Sequence, residues 1–462
     1  MENSEEESEE QSSLEEPRTP RSWPSSSQQA LLLDPLYARS KSVIHDELRS
    51  FRVFLRCCFL DHSSPPARAA SYAAFLSLSL AVPAAVSASL RADPALSPAS
   101  ASAVTFNRLA TLTSSALAAV SFLTLASFFR RGAGNGASGG GLRGLLFLDG
   151  GLRDDAASVR RGYERELDRA FRILALILLP ALCVEAGHKA VFFFSTVRLE
   201  PPLPPPRATT PLSSSSFLHQ VPWRAVALVL TVASWVYRTG VFLLVCVLFR
   251  LTCELQILRF EGIYHMFDVE QAPRAGADEI FAEHRRIRTQ LLATSHRYRV
   301  FILCCLVTIT VSQLGALLVA LSSKDRKSFA NSGDLLVGSS VQLSGFFMCL
   351  FGAARITHRA QRIVSIASQW HMGMVHHGKP APEPGVSTSA SDDAAASGAC
   401  CAYKSRQALV VSMRVYAVTY LWHNSGGITL FGFTLDRGLL HTIFAFEMTL
   451  VLWILSKAVV LS

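Results

Sequence analysis

The sequence predicts an all-α fold: a polytopic bundle of seven transmembrane helices, with the N-terminus in the cytoplasm and the C-terminus outside. Three observations carry this. Half of the 462 residues are hydrophobic and only 17% are charged, against roughly 25% charged in an average soluble domain. The apolar residues gather in blocks of about 20, the length that crosses a bilayer's hydrocarbon core. The basic residues gather in alternate loops, as the positive-inside rule requires. A soluble chain this long would form about two or three domains, each needing a polar shell. Too few charges remain to coat them, so soluble enzymes and disordered chains are excluded first.

The elements follow in chain order. Residues 1–38 read as a disordered acidic tail: the first 16 hold eight Glu and no basic residue, followed by Pro- and Ser-rich sequence. A basic n-region and an apolar h-region are missing there, so no signal peptide is expected. Residues 39–68 are basic and contain a juxtamembrane amphipathic helix, VIHDELRSFRVFLRCCFL. The spans are expected near 69–90, 107–129, 171–197, 224–251, 299–322, 335–357 and 438–461. The segment 408–421 has only 14 residues, with Arg414 in the middle, and breaks at HNSGG (423–427). That is too short to span, and it reads as a buried cytoplasmic helix joined to the last span by a Gly-rich joint. With 277–298, which prolongs the fifth span, the region 405–425 would form a cytoplasmic helical layer suited to subunit contacts. The inserts GAGNGASGGG (132–141), PPLPPP (201–206) and VSTSASDDAAASGA (386–399) read as tolerant loops.

Orientation comes from the loops. The net charge of +9 is mostly arginine, 37 against 7 lysines. Such a charge suits nucleic acid in a soluble protein, but here its placement decides otherwise. Eight Arg lie in 130–170 and six in 252–298, while 91–106 has one basic residue and 198–223 has two. The rich loops face the cytoplasm, so no nucleic-acid partner is expected. None of the ten cysteines falls in an expected outer loop, and no Asn-x-Ser/Thr sequon occurs. Cys57 and Cys58 stand next to the membrane and are either palmitoylation candidates or ordinary packed thiols.

Ionisable residues inside spans are costly and become functional candidates. The third span holds Glu185, His188 and Lys189, and the fourth holds Arg238. Glu185 and Lys189 share a helix face. Glu185 and Arg238 fall at about the same depth, which suggests an interhelical pair. It would either line a polar, ligand-binding cavity or fix helix register. In the last span Phe444, Glu447, Val451 and Ile454 share one stripe. They would line a pore with a ring of acids below a hydrophobic constriction, or Glu447 would pair with Arg437 or a neighbouring helix. WHMGMVHH (370–377) matches no zinc signature, and no HExxH or CxxC spacing occurs. Neither metal, cofactor nor catalysis is therefore expected.

The stretches GLRGLLFLDGGLRDD (141–155) and GGITLFGFTLDRGLLHTIFAFEMTLVLWILSK (426–457) resemble a plant membrane-protein family, the domain-of-unknown-function 3537 family. It is also described as gustatory-receptor-like, and the resemblance covers most of 40–462. The family's architecture is similar to insect odorant and gustatory receptors. The resemblance thus implies an insect chemoreceptor-like fold in the plasma membrane. It further implies a homotetrameric ligand-gated cation channel, an unknown small-molecule ligand and a last helix lining the pore. Those receptors carry Thr-Tyr…Gln-Phe in the last span. Here Thr449 is followed by Leu450, and Thr419-Tyr420 occurs before the break, so architecture alone carries the pore assignment. A non-conducting receptor or scaffold and a small-solute transporter are the alternatives.

Overall fold

The computed structural model describes residues 51–91, 100–134, 157–199, 216–266, 277–322, 329–377 and 415–460, apart from 52, 63, 417 and 425. The acidic tail, the inserts at 201–206 and 386–399, and residues 405–414 lie outside these. Seven long helices make up the described fold. They are α1 (Pro65–Leu76, continued through a π-helical turn, Ser77–Ala81, into Val82–Ser89), α2 (Ser100–Gly134), α3 (Ala157–Val191), α4 (Ser216–Met266), α5 (Ala277–Ser322), α6 (Phe329–His377) and α7 (Arg437–Val460). The first six are long and apolar enough to cross a membrane, and the chain is a multi-pass membrane protein. α7 has 24 residues, about 36 Å of helix, and coincides with the last span expected from sequence.

α4 is the axis. Its most apolar stretch is 89% buried, against 17–50% in the other five, and from Val241 to Phe249 no residue is more than 5% exposed. A helix apolar on all sides belongs at the centre, and α6, α3, α2, α5 and α1 pack around it. α7 lies outside, against α5 and α6. α6 packs tightly on α4 at Gly345, where an added Cβ would sit 2.8 Å from Phe242 Cε1 and 3.1 Å from Leu243 Cδ2. The large side chains left bare, such as Leu112, Leu176, Val229 and Leu318, form the lipid-facing belt.

The π turn in α1 follows from Pro83. In lipid every backbone carbonyl needs a partner inside the protein, and Pro83 has no N–H to give. The Val82 N–H bonds Ser77 O, so Leu78 O and Ser79 O are left over. Ser234 of α4 donates to Leu78 O at 2.5 Å, and Ser115 of α2 donates to Ser79 O at 3.1 Å. A defect in one helix thereby becomes its attachment to two others.

α4, α5 and α6 have 51, 46 and 49 residues, about 69–77 Å each, more than twice a ~30 Å hydrocarbon core. Beyond the apolar stretch, Arg355 of α6 pairs with Glu254 of α4, Arg359 lies 3.5 Å from Glu261, and Tyr264 Oη donates to the Arg359 carbonyl at 2.5 Å. The segment 277–298 is the first half of α5. Residues 415, 416 and 418–423 are helical, and the Tyr420 ring packs against Phe281 at 4.4 Å and His284 at 5.8 Å. The sequence reading made this helix buried. In the chain, Leu421 is buried but Val415, Tyr416 and Trp422 are 47–68% exposed, because so short a helix can lay only one face on α5.

Between the Gly-rich joint and α7 the chain forms a β-hairpin, β1 (Thr429–Leu430) and β2 (Phe433–Thr434), which residue order does not foretell. Its two-residue turn places Phe431 at φ 50° and Gly432 at φ 96°, the backbone that a tight hairpin turn requires. Arg299 lies over the Phe431 ring at 5.2 Å, and Ser295 donates to the Thr429 carbonyl. Asp436 Oδ1 then caps α7 by accepting from Leu439 N at 2.7 Å.

Ahead of α1, residues 51–57 form a short helix with 52 undescribed, and Phe51 and Phe54 pack on Phe171 of α3. Cys57 is exposed and Cys58 half-buried. Burial pushes the Cys58 thiol up, and neighbouring Cys57 adds to it. His62 follows, stacked at 5.6 Å on Phe129, with Nδ1 3.1 Å from Leu60 O. Burial lowers its pKa from the ordinary 6.5. The Leu60 carbonyl and Asp61 pull upward, and Arg68 pushes down.

Two outcomes follow from this packing. Gly345→Leu overpacks the α4–α6 crossing and costs about 1–3 kcal/mol, read as a lower unfolding temperature in detergent. Unchanged stability would mean that α6 does not approach α4 there. The folded chain also binds the His62 proton less readily than the unfolded chain. Stability therefore declines as pH falls below 6.5, and His62→Gln flattens that limb of the profile.

Candidate functional site

α3 brings Glu185, His188 and Lys189 to one level, and their residues are only 1–6% exposed. Lys189 Nζ donates to Asn107 Oδ1 of α2 at 2.6 Å and to Asp334 Oδ2 of α6 at 2.7 Å, with Glu185 Oε1 at 3.7 Å. His188 Nδ1 lies 2.7 Å from the other Asp334 oxygen. The approach depends on Gly333: a Cβ there would lie 2.8 Å from His188 Nε2, inside van der Waals contact. Only glycine lets α6 present Asp334 directly beneath the imidazole.

Arg238 takes a different route from the one its depth suggested. It is not ion-paired to Glu185. Its guanidinium turns to α2, donating to Thr111 O at 2.9 Å, Ser114 Oγ at 2.7 Å and Ser115 Oγ at 3.1 Å, and back to Ser234 O at 3.3 Å. Asn107, Thr111 and Ser114 are spaced four and three apart, one face of α2. That polar stripe was visible in the sequence but does not announce itself, since single Ser and Thr are common in spans. Asp334 was equally visible, one residue outside the expected start of its span. Glu185 and Asp334 against Lys189 and Arg238 make a formally neutral set, which is what burial in low dielectric demands.

Glu185 and Arg238 line the same cavity, with Lys189, Asp334, Ser114 and Gln342. Its volume is about 30 Å³, room for roughly two waters. The second Glu185 oxygen, Oε2, has no hydrogen-bond partner among the described residues.

The four residues expected along a pore are placed as follows. Glu447 is 2% exposed and accepts a hydrogen bond from Thr310 of α5 at 2.6 Å. Phe444 packs edge-on against Phe347 of α6 at 5.0 Å. The side chains of Val451 and Ile454 lie outside the described residues, as do those of His371, His376 and His377. The bare face of α7 carries Phe446, Met448, Leu452 and Trp453, 48–58% exposed.

Removing one partner of a buried pair costs about 3–5 kcal/mol. Lys189→Met and Asp334→Leu each lower the unfolding temperature steeply. The double variant loses less than the sum, by a coupling of about 0.5–3 kcal/mol. Strict additivity in thermal unfolding would show that the two do not interact.

No curated protein matches the sequence. Among solved structures, the insect olfactory receptor OR5 from Machilis hrabei is similar over 89% of this chain and 98% of its own, at 12% identity and a TM-score of 0.48. The sequence profile of one family matches residues 46–446. The chain belongs to that family, described as "Protein of unknown function (DUF3537)".

Proposed function

We propose that this chain is a receptor-like membrane protein of seven spans, N-terminus in the cytoplasm and C-terminus outside, assembling as a homotetrameric ligand-gated cation channel in the plasma membrane. The observation that carries the reading is the neutral set of four buried charges around a cavity inside the spans. Such groups are expensive in lipid and mark ligand or ion sites. α2, α3, α4 and α6 each contribute, so a ligand that prefers one arrangement of these helices shifts the whole bundle. α7 lines the pore in this reading and senses the shift through α5, because Glu447 is bonded to Thr310. The arginine-rich loops at 130–170 and 252–298 support the orientation. The reading assigns no catalytic role.

One observation favours a second reading, a small-solute transporter: α2, α3, α4 and α6 of this one chain already surround the cavity. Recording from purified protein in planar bilayers, with native mass measurement, separates the two. The channel reading expects a tetrameric mass and unitary cation currents. A monomer without currents, exchanging solute across vesicles, would replace the channel with the transporter. In the channel, Glu447→Gln and Thr310→Val each change open probability and leave the reversal potential in place. A shifted reversal potential in Glu447→Gln would put that carboxylate in the ion path instead of in the gating contact.

A further inference from the structure

The polar cavity is too small for anything but water. A second and far larger space lies next to it. Between α3 and α6, Pro180, Ala181 and Val184 face Leu336, Val337 and Val341 across a groove of about 450 Å³, a volume typical of small-molecule sites. It is open along its length, within the apolar stretches of both helices. Its medium is therefore the acyl chains of the bilayer.

The groove is apolar by construction. Ser340 and Ser344 belong to its lining, but their hydroxyls donate to Val337 O and Val341 O of their own helix, each at 2.9 Å. Pro180 lies inside α3. It removes an N–H from the ladder and denies the helix a straight packing face. Val341 lines both spaces. On α3, Glu185 is the residue next to Val184 and one turn beyond Ala181. An apolar trough thus adjoins a polar chamber, and Val341 belongs to the lining of both.

We infer that the site takes a neutral amphiphile that arrives through the bilayer: an apolar body lies in the α3–α6 groove, and a hydroxyl at its tip reaches Glu185. The head is a hydrogen-bond donor because Glu185 Oε2 is an acceptor without a partner in a residue 1% exposed. The head is uncharged because the set of Glu185, Asp334, Lys189 and Arg238 is already balanced, and a further ion would be buried without a counter-charge. A change of Val341 rotamer joins groove to chamber. The inference deepens the receptor reading by naming its ligand class and route, and it rests on that reading for the purpose of binding but not for binding itself.

The test uses full-length protein in phosphatidylcholine nanodiscs, with hexadecanol carrying a mid-chain diazirine, and maps photolabelled peptides by mass spectrometry. Parallel arms carry the matching hexadecanoate, the matching alkane and a diazirine-bearing phosphatidylcholine. The expected result is alcohol labelling concentrated on 177–184 and 336–344, about tenfold above each other arm, the order of one buried hydrogen bond or ion. Ser340→Phe fills the groove from an exposed position and removes that labelling. Glu185→Gln reduces the preference for alcohol over alkane. Competition by unlabelled hexadecanol on the unaltered protein gives the same reading should a variant fail to fold. Labelling spread evenly over the lipid-facing helices overturns the inference. So does labelling as strong from phosphatidylcholine or alkane as from the alcohol. Groove labelling without currents leaves the inference standing and removes conduction alone. A ligand response that survives Ser340→Phe removes the inference and leaves the channel.

Discussion

Arg238 of α4 is only 3% exposed in the middle of the most enclosed helix, where bulk water does not reach beyond the small cavity it lines. Most of its hydrogen bonds must therefore come from protein. Thr111 O, Ser114 and Ser115 supply them from α2, and Ser234 O from its own helix. Ser115 and Ser234 also satisfy the carbonyls that Pro83 strands in α1. One cation and one proline therefore fix the mutual register of α1, α2 and α4. Apolar packing alone specifies register poorly in lipid, where Leu is as well solvated as it is against a neighbour.

The second polar knot sits on the same face of α2, one turn from the first. Asn107 shares Lys189 with Asp334, and Asp334 shares itself with His188. The two knots differ in what they leave unfinished. Arg238 is bonded on several sides, whereas Glu185 keeps one oxygen unmatched beside the cavity. A bundle built for stability alone has no reason to keep an open acceptor there. A bundle that must respond to a ligand does, because the response needs an interaction absent from the resting state. α3 and α6, which bear this second knot, also wall the lateral groove, so the elements that hold the charges are the ones a body in the groove would push apart.

Much of this was readable from residue order. The six spans within α1–α6 were visible because a run of about 20 apolar residues has few other uses. Glu185, His188, Lys189 and Arg238 were visible because ions in such runs are rare. What could not be read was direction. Depth along two helices brings Glu185 level with Arg238, but rotation about each axis decides whom they face, and rotation is set by side-chain packing. Asp334 was missed for a related reason: at the edge of a hydrophobic block it reads as loop. The hairpin at 429–434 was missed because its strands are two residues long and its turn begins with Phe, which favours left-handed backbone poorly. For Glu447 residue order left open a pore stripe or a partner on Arg437 or a neighbouring helix, since a stripe says which residues share a face and not where that face points; the bond to Thr310 of α5 is of the neighbouring-helix kind.

The stranded carbonyls of α1 bear on how the protein is made. α1 leaves the ribosome before α2 and α4, and at that moment Leu78 O and Ser79 O lack the donors Ser234 and Ser115. Ser115 arrives with α2, but Ser234 arrives only after some 150 further residues have been synthesised. Until then a bare peptide carbonyl in hydrocarbon costs several kcal/mol, so α1 gains by lingering at the protein-lined flank of the translocon rather than partitioning into lipid. The last of these carbonyls is satisfied only once α4 has docked, so a chain halted between α2 and α4 would hold an α1 that still lacks its Ser234 partner.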